Sequence, residues 1–221
     1  AVAAIDAFYG KSLSPTDKKK FPRAQFYAYE IKKKLAVDER IDPHAIFYTG
    51  FSYGGEAVLR STAISTHYIV SPWRAAAAAE PSCNAFPEPR QVNYPILIVK
   101  GGESHYEPKP CRIFMELYKD KGSNVELIIF PKSNHNFSHN GKFVKGIAFN
   151  GCADNPVILR RNGKHTFLNG EPASRQEIHD QCFTLKGGSG NDREDLDIAI
   201  SAIINFFLKQ YILIIQNYQY F

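Results

Sequence analysis

The four cysteines, Cys83, Cys111, Cys152 and Cys182, form no CxxC pair and have no metal-ligand spacing. That excludes the common thiolate metal sites and a thioredoxin-like redox motif. No signal-peptide pattern opens the sequence: Ala1-Val-Ala-Ala-Ile5 runs straight into Asp6 without a basic segment and reads as a buried strand. No uninterrupted apolar run is long enough for a membrane span. Ile198–Ile215 comes nearest, but Ser201, Asn205, Lys209 and Gln210 break it, so it reads as a core helix with an unusual tail. Charge of one sign is also not concentrated. The net charge of +5 is scattered apart from Lys18–Lys20 and Lys32–Lys34, with no aromatic interleaving or nucleic-acid motif beside them. These clusters read as solvated helix faces, and no nucleic-acid partner is expected. No internal repeat is visible.

What remains is the composition of one packed domain. The 221 residues are 44% hydrophobic and include 16 Phe and 12 Tyr, which argues against disorder. A single domain over 1–221 is expected, with an atypical tail at 211–221. The even cysteine count permits two disulfides, for which Cys83–Cys111 and Cys152–Cys182 are one pairing; disulfides would imply a periplasmic or secreted protein. The alternative is four buried thiols in a cytoplasmic protein.

Strand and helix patterns alternate. A helix is predicted over 23–36, followed by a turn at Ile41-Asp-Pro43, a short strand at Ala45–Thr49 and a helix at Gly54–Ser65. Ala75–Ala79 has helical propensity but is short and closed by Pro81; it reads as a small-sided central strand. Ile96–Val99 and Val125–Phe130 are clearer strands, with a helix at Cys111–Asp120 between them. Phe137–Gly190 reads as loop-rich, and Asp192–Leu208 as an amphipathic helix. The pattern predicts an α/β fold: a mostly parallel central sheet flanked by helices.

The strongest chemical signal is Gly50-Phe51-Ser52-Tyr53-Gly54-Gly55, placed between a predicted strand and helix. A nucleophilic serine on so sharp a turn needs small neighbours, and Gly50 and Gly54, two residues either side, supply them. The Tyr53 N–H, at the start of a helix, is the expected oxyanion donor. The serine hydroxyl needs a base. His135 follows the strand at Val125–Phe130 and the loop Pro131-Lys-Ser-Asn134, with His139 the rival. His67, His165 and His179 read as surface residues. An acid must orient the base. The loop after Ile96–Val99 is the expected place and reads Lys100-Gly-Gly-Glu-Ser-His-Tyr-Glu-Pro108, with no aspartate. Glu103 is the best-placed carboxylate there, with Glu107 the alternative.

Taken in order, these segments resemble the dienelactone hydrolase family of the α/β-hydrolase superfamily, in particular its larger dienelactone-hydrolase-related branch. The resemblance runs from about Ala1 to Leu208. It rests on Asp6-Ala-Phe, the lead-in Val37–Pro43, the elbow Gly50–Gly55, Arg74–Cys83, Pro95–Cys111 with Tyr106-Glu-Pro108, and Phe130-Pro131 through His135-Asn-Phe137. It implies an α/β-hydrolase fold and no metal or organic cofactor. Three departures stand out. Serine occupies the position where the family's namesake has cysteine, which favours esterase-like chemistry. The family pattern Gly-x-x-Asp, laid on Gly101, puts Ser104 where aspartate is expected. The family's N-terminal strands, with the loop giving a second oxyanion donor, are missing ahead of Ala1.

The function expected is a serine hydrolase acting on small-molecule carboxylic esters or lactones through an acyl-enzyme. Phe51 and Tyr106 are the candidate substrate-binding aromatics. The alternative is an inactive relative, truncated or a pseudoenzyme, serving as a binding protein. A peptidase is a third reading, though nothing supplies an acidic pair to anchor an amine.

Overall fold

A computed structural model describes residues 2–12, 20–64, 72–138, 144–189 and 194–218. Its centre is a four-stranded sheet formed by β1 (Tyr48–Phe51), β2 (Ala76–Ala79), β4 (Ile96–Gly101) and β5 (Val125–Phe130), ordered β1-β2-β4-β5 and parallel throughout. Parallel strands need crossovers. Helix α2 (Tyr53–Ser61) follows β1, and α3 (Lys109–Asp120) lies between β4 and β5.

The alanine run is a strand because it is covered on both sides. Ala76 and Ala78 face one core with Ile96, Ile98, Val58, Phe114 and Tyr118. Ala75, Ala77 and Ala79 face the other, with Leu97, Val99, Phe137 and Phe206. Side chains of period two divide between the faces. Methyl groups let helices on both sides approach closely, so propensity yields to packing. The first core is covered by α1 (Ala24–Leu35), α2 and α3, through Ala28, Tyr29, Leu59 and Cys111. The second is covered by α5 (Leu196–Tyr218), through Ala199, Ile203, Phe206 and Phe207.

The stretch expected to be loop-rich holds regular structure. Between β5 and α5 lie β6 (Val144–Ala148), β7 (Val157–Leu159), β8 (His165–Phe167), α4 (Arg175–Cys182) and β9 (Thr184–Ser189). Strands β6 and β9 pair antiparallel. The short β3 (Ala85–Pro87) pairs with β7, and β7 with β8, as a second small sheet. Helix α4 opens with a reciprocal cap: Glu177 N donates to Ser174 Oγ at 3.2 Å, and Ser174 N donates to Glu177 Oε2 at 2.7 Å. Two disulfides join Cys83 to Cys111 and Cys152 to Cys182. The second sits in its own small core with Val157, Phe167 and Ala173.

Other expectations are corrected. Residues 2–6 form no strand, and Val2 is 96% exposed. With no strand among the described residues to pair with, the backbone donors of this apolar run are left to water. Lys32 does not lie on a solvated face: it is buried, with its ammonium over the Trp73 ring, while Lys33 pairs with Glu30. Helix α5 extends past the expected Leu208, and its stretch Leu196–Leu213 is long and apolar enough to cross a membrane by length and composition. One side packs on the sheet, whereas Ile200, Ile204, Leu208 and Ile212 stand exposed.

Candidate active site

The carboxyl ends of the parallel strands gather the reactive side chains, as open α/β sheets do. Ser52 lies between β1 and α2 with φ 54° and ψ −112°, a strained conformation for a residue with a side chain. Packing holds it there. Ser52 N donates to Ala79 O at 2.9 Å, and Glu56 N donates to Ser52 O at 2.9 Å. A Cβ on Gly50 would stand 2.4 Å from the Gly54 backbone, and one on Gly55 would stand 2.5 Å from Ala79 O. A Cβ on Gly54 would meet nothing within 4 Å. The close approach therefore requires Gly50 and Gly55, not the symmetric pair Gly50 and Gly54. Because α2 begins at Tyr53, its N–H belongs to the first-turn donors that have no partner within the helix. The Tyr53 ring itself turns away: its hydroxyl donates to Pro22 O at 2.5 Å and its face packs with Phe8 and Phe21.

His135 meets Ser52 across 83 residues of sequence, with Nε2 3.0 Å from Ser52 Oγ. Its loop is held by the chain beyond it. His135 N donates to Gly188 O at 2.7 Å, Asn136 N donates to Asn134 Oδ1 at 2.8 Å, and Asp195 N donates to Phe137 O at 2.8 Å. Ser133 Oγ donates to the Asp195 carboxylate. The rival His139 and His67 lie outside the described residues, whereas His165 and His179 are exposed.

The carboxylate that meets His135 is not one the sequence was expected to supply. Among the described residues, the groups that meet His135 Nδ1 are Glu80 Oε2 at 3.0 Å and Ser104 Oγ at 3.4 Å. Glu103 is exposed and uses its backbone N–H on Ser133 O; Glu107 is 3.6 Å from Lys186 Nζ. The expected orientation of His135 by Glu103 is thus replaced by Glu80, at the end of β2. Glu80 has φ 51° and its N–H donates to Val99 O at 2.8 Å. Its side chain is fully buried. Gly101 N donates to Oε1, and Lys100 Nζ lies 2.7 Å from Oε2. Burial alone would raise the Glu80 carboxyl, but the Lys100 ammonium and the His135 hydrogen bond outweigh it and hold the group below the usual carboxylate range. One sequence signal could have found it: a lone acidic residue closing a buried alanine strand, on the same edge of the sheet as the serine.

Aromatics surround the base. The Phe51 ring lies 5.4 Å from the His135 ring and the Tyr106 ring 5.9 Å from it, both centroid to centroid. Phe51 is 45% exposed. His105, which sequence reasoning passed over, stacks edge-on at 4.5 Å from His135, and its Nδ1 is buried with no hydrogen-bond partner among the described residues. Burial first, then the charges of His135 and Lys100, lower the His105 imidazole to about 4.

No family model matches the sequence, and no curated protein matches it. Solved structures do. The chain is similar to a Klebsiella pneumoniae protein described as "Putative Dienelactone Hydrolase", at 18% identity over 54% of this chain and 53% of that one, with a TM-score of 0.42. Esterase 2 of Thermogutta terrifontis, phosphorylated by paraoxon, is similar at 20% identity over 46% and 50% of the two chains, with a TM-score of 0.37. A variant of Arabidopsis thaliana SOBER1 is similar at 19% identity over 59% and 62%, with a TM-score of 0.41. The chain thus spans about half the length of the Klebsiella protein. By its own parallel sheet, flanking helices and strained serine turn, the chain has the α/β-hydrolase fold.

Proposed function

We propose that this chain is a serine hydrolase of carboxylic esters or lactones, working through an acyl-enzyme on Ser52. One observation carries the reading: a continuous line of hydrogen-bond distances from Ser52 Oγ to His135 Nε2 at 3.0 Å, and from His135 Nδ1 to Glu80 Oε2 at 3.0 Å. In this reading Ser52 Oγ attacks the acyl carbon as His135 Nε2 accepts its proton. Glu80 accepts from Nδ1–H, which fixes the tautomer and stabilises the imidazolium. The proton then passes to the leaving alcohol. The Tyr53 N–H donates to the developing oxyanion. Water, deprotonated by His135, attacks the acyl-enzyme and frees the acid and Ser52. Phe51 and Tyr106 flank the path and favour a compact or aromatic acyl group. The two disulfides support an oxidising compartment as its home.

The test is intact mass after treatment with a fluorophosphonate. One adduct on the folded chain, lost in Ser52→Ala, is the expected result. Absence of an adduct on folded, disulfide-bonded protein would overturn the reading in favour of a binding protein. Turnover of an ester and an amide of one acyl group then separates esterase from peptidase, with ester turnover expected to dominate.

A further inference from the structure

Lys100 is a charged side chain with no access to water. It is the penultimate residue of β4, the strand beside β2, and its side chain is fully buried. A buried ammonium costs too much to be kept unless it is paired and hydrogen-bonded. Its Nζ lies 2.7 Å from Glu80 Oε2 and 3.1 Å from Ser104 Oγ, and 5.9 Å from the centre of the Tyr106 ring. The oxygen it meets is the same Oε2 that faces His135 Nδ1. The other oxygen is taken by Gly101 N. Both carboxylate oxygens are therefore engaged, by β4 and by the histidine.

This matters because a buried carboxyl has two ways to meet an imidazole. As a carboxylate it accepts from Nδ1–H, and Nε2 is left with a lone pair for the Ser52 proton. As a carboxylic acid it donates to Nδ1, and the ring proton moves to Nε2, where it faces Ser52 and blocks proton transfer. Burial favours the second state.

We propose that Lys100 is a positioning residue of the hydrolytic site, whose ammonium on Oε2 fixes Glu80 as the acceptor of His135 Nδ1–H and so keeps Nε2 open to Ser52. The relay has four members, Ser52–His135–Glu80–Lys100. Ser104 Oγ bridges two of them, 3.1 Å from Lys100 Nζ and 3.4 Å from His135 Nδ1. The proposal rests on the hydrolase reading for its catalytic consequence but not for the state of the pair. The other ionisable groups acting on the pair are His135 and His105 at the site, Lys186 on β9 and Glu56 on α2. Burial lowers the Lys100 ammonium and Glu80 acts against that, which is the reciprocal of the carboxylate being held down.

The experiment compares Lys100→Met with the unchanged chain in ester turnover from pH 5 to pH 9.5. Met keeps the stem and removes the charge. The expected result is a fall in kcat of roughly 10- to 100-fold at neutral pH with KM nearly unchanged. The acid limb of kcat/KM should move up by about two pH units, so that activity partly returns above pH 8.5 as Glu80 ionises. A loss of equal size at every pH, with the limb unmoved, overturns the proposal and leaves Lys100 a structural ion-pair partner. Should Lys100→Met not fold, the unchanged chain decides. In ¹³Cδ-glutamate NMR, with Glu80 assigned from Glu80→Gln, the Glu80 carboxyl should stay ionised down to pH 5. Titration of that resonance above pH 5 overturns the proposal. This measurement stands even if Ser52 proves unreactive, so failure of the positioning role and failure of the hydrolase reading can be told apart.

Discussion

Two loops approach His135 Nδ1 from neighbouring strands, and they are unequal. The loop after β4 is long and carries Glu103, Ser104 and Glu107, yet it brings only a serine hydroxyl, at 3.4 Å. The end of β2 is abrupt and carries one acidic residue, Glu80, which arrives at 3.0 Å with both oxygens engaged. A base needs a carboxylate at one point in space, not at one point in the chain. Neighbouring parallel strands end within about 5 Å of each other. A longer side chain from the nearer strand end can therefore do what a shorter one from the next loop would do. Here the carboxylate that meets His135 comes from the end of β2, and Ser104 stands at the third position after Gly101.

The sharpest way to break this comparison is to remove each carboxylate in turn. Glu80→Gln should lower kcat by about 10³–10⁴-fold, because the amide can donate to Nδ1 and select the wrong tautomer. Glu103→Gln should stay within about twofold, as an exposed side chain off the relay. Adding Ser104→Asp to Glu80→Gln should restore roughly tenfold, since it returns a carboxylate to the β4 side. Steady-state ester kinetics checks all three. An unaffected Glu80→Gln would mean that the β2 strand end does not supply the acid.

The disulfides extend the comparison. Cys83–Cys111 closes a separation of 28 residues beside Glu80, and Cys152–Cys182 closes 30 residues away from it. Chain entropy makes the two nearly equal, about 3–4 kcal/mol each. Removing either pair as a double alanine variant should therefore lower stability to denaturant by similar amounts. Kinetics at low temperature should separate them, with the larger loss of kcat expected for Cys83→Ala/Cys111→Ala, since that disulfide ties down the chain just after Glu80.

The smallest effect concerns His105. Its imidazole titrates at about 4, below the ordinary 6.5, because burial and neighbouring charges disfavour the cation. The unfolded chain takes up this proton first as pH falls. Stability from this residue is thus complete above pH 6.5 and declines between pH 6.5 and 4. The melting temperature should fall over that window, and His105→Gln should flatten the fall.

Much of the fold was legible from local patterns. Val125–Phe130 needed only its apolar residues and Pro131, and Ser52 needed only its glycines and its place between strand and helix. What escaped were features set at a distance. Glu80 looks like any polar residue after a strand until Lys100 and His135 are brought against it from 20 and 55 residues away. Val2–Ile5 has the composition of a strand and no strand beside it. The structure within 144–189 was missed for a different reason. Its strands are three to six residues long and its helix is strongly polar, so neither period stands out. Ser174-Arg-Gln-Glu177 was nonetheless a readable helix start.

The amide of His135 hangs on Gly188 O, and Gly188 packs so closely on Ser104 and His105 that a Cβ there would stand 2.2 Å from His105 N. His135 is therefore mounted on β9, an element outside the central sheet. Regions with little core of their own open at lower free energy than the sheet that supports them. A local opening of β9 would let the histidine swing off its register while β1, β2 and β4 stay intact. On the proposed hydrolase reading, turnover is then expected to fall on warming before the molecule melts.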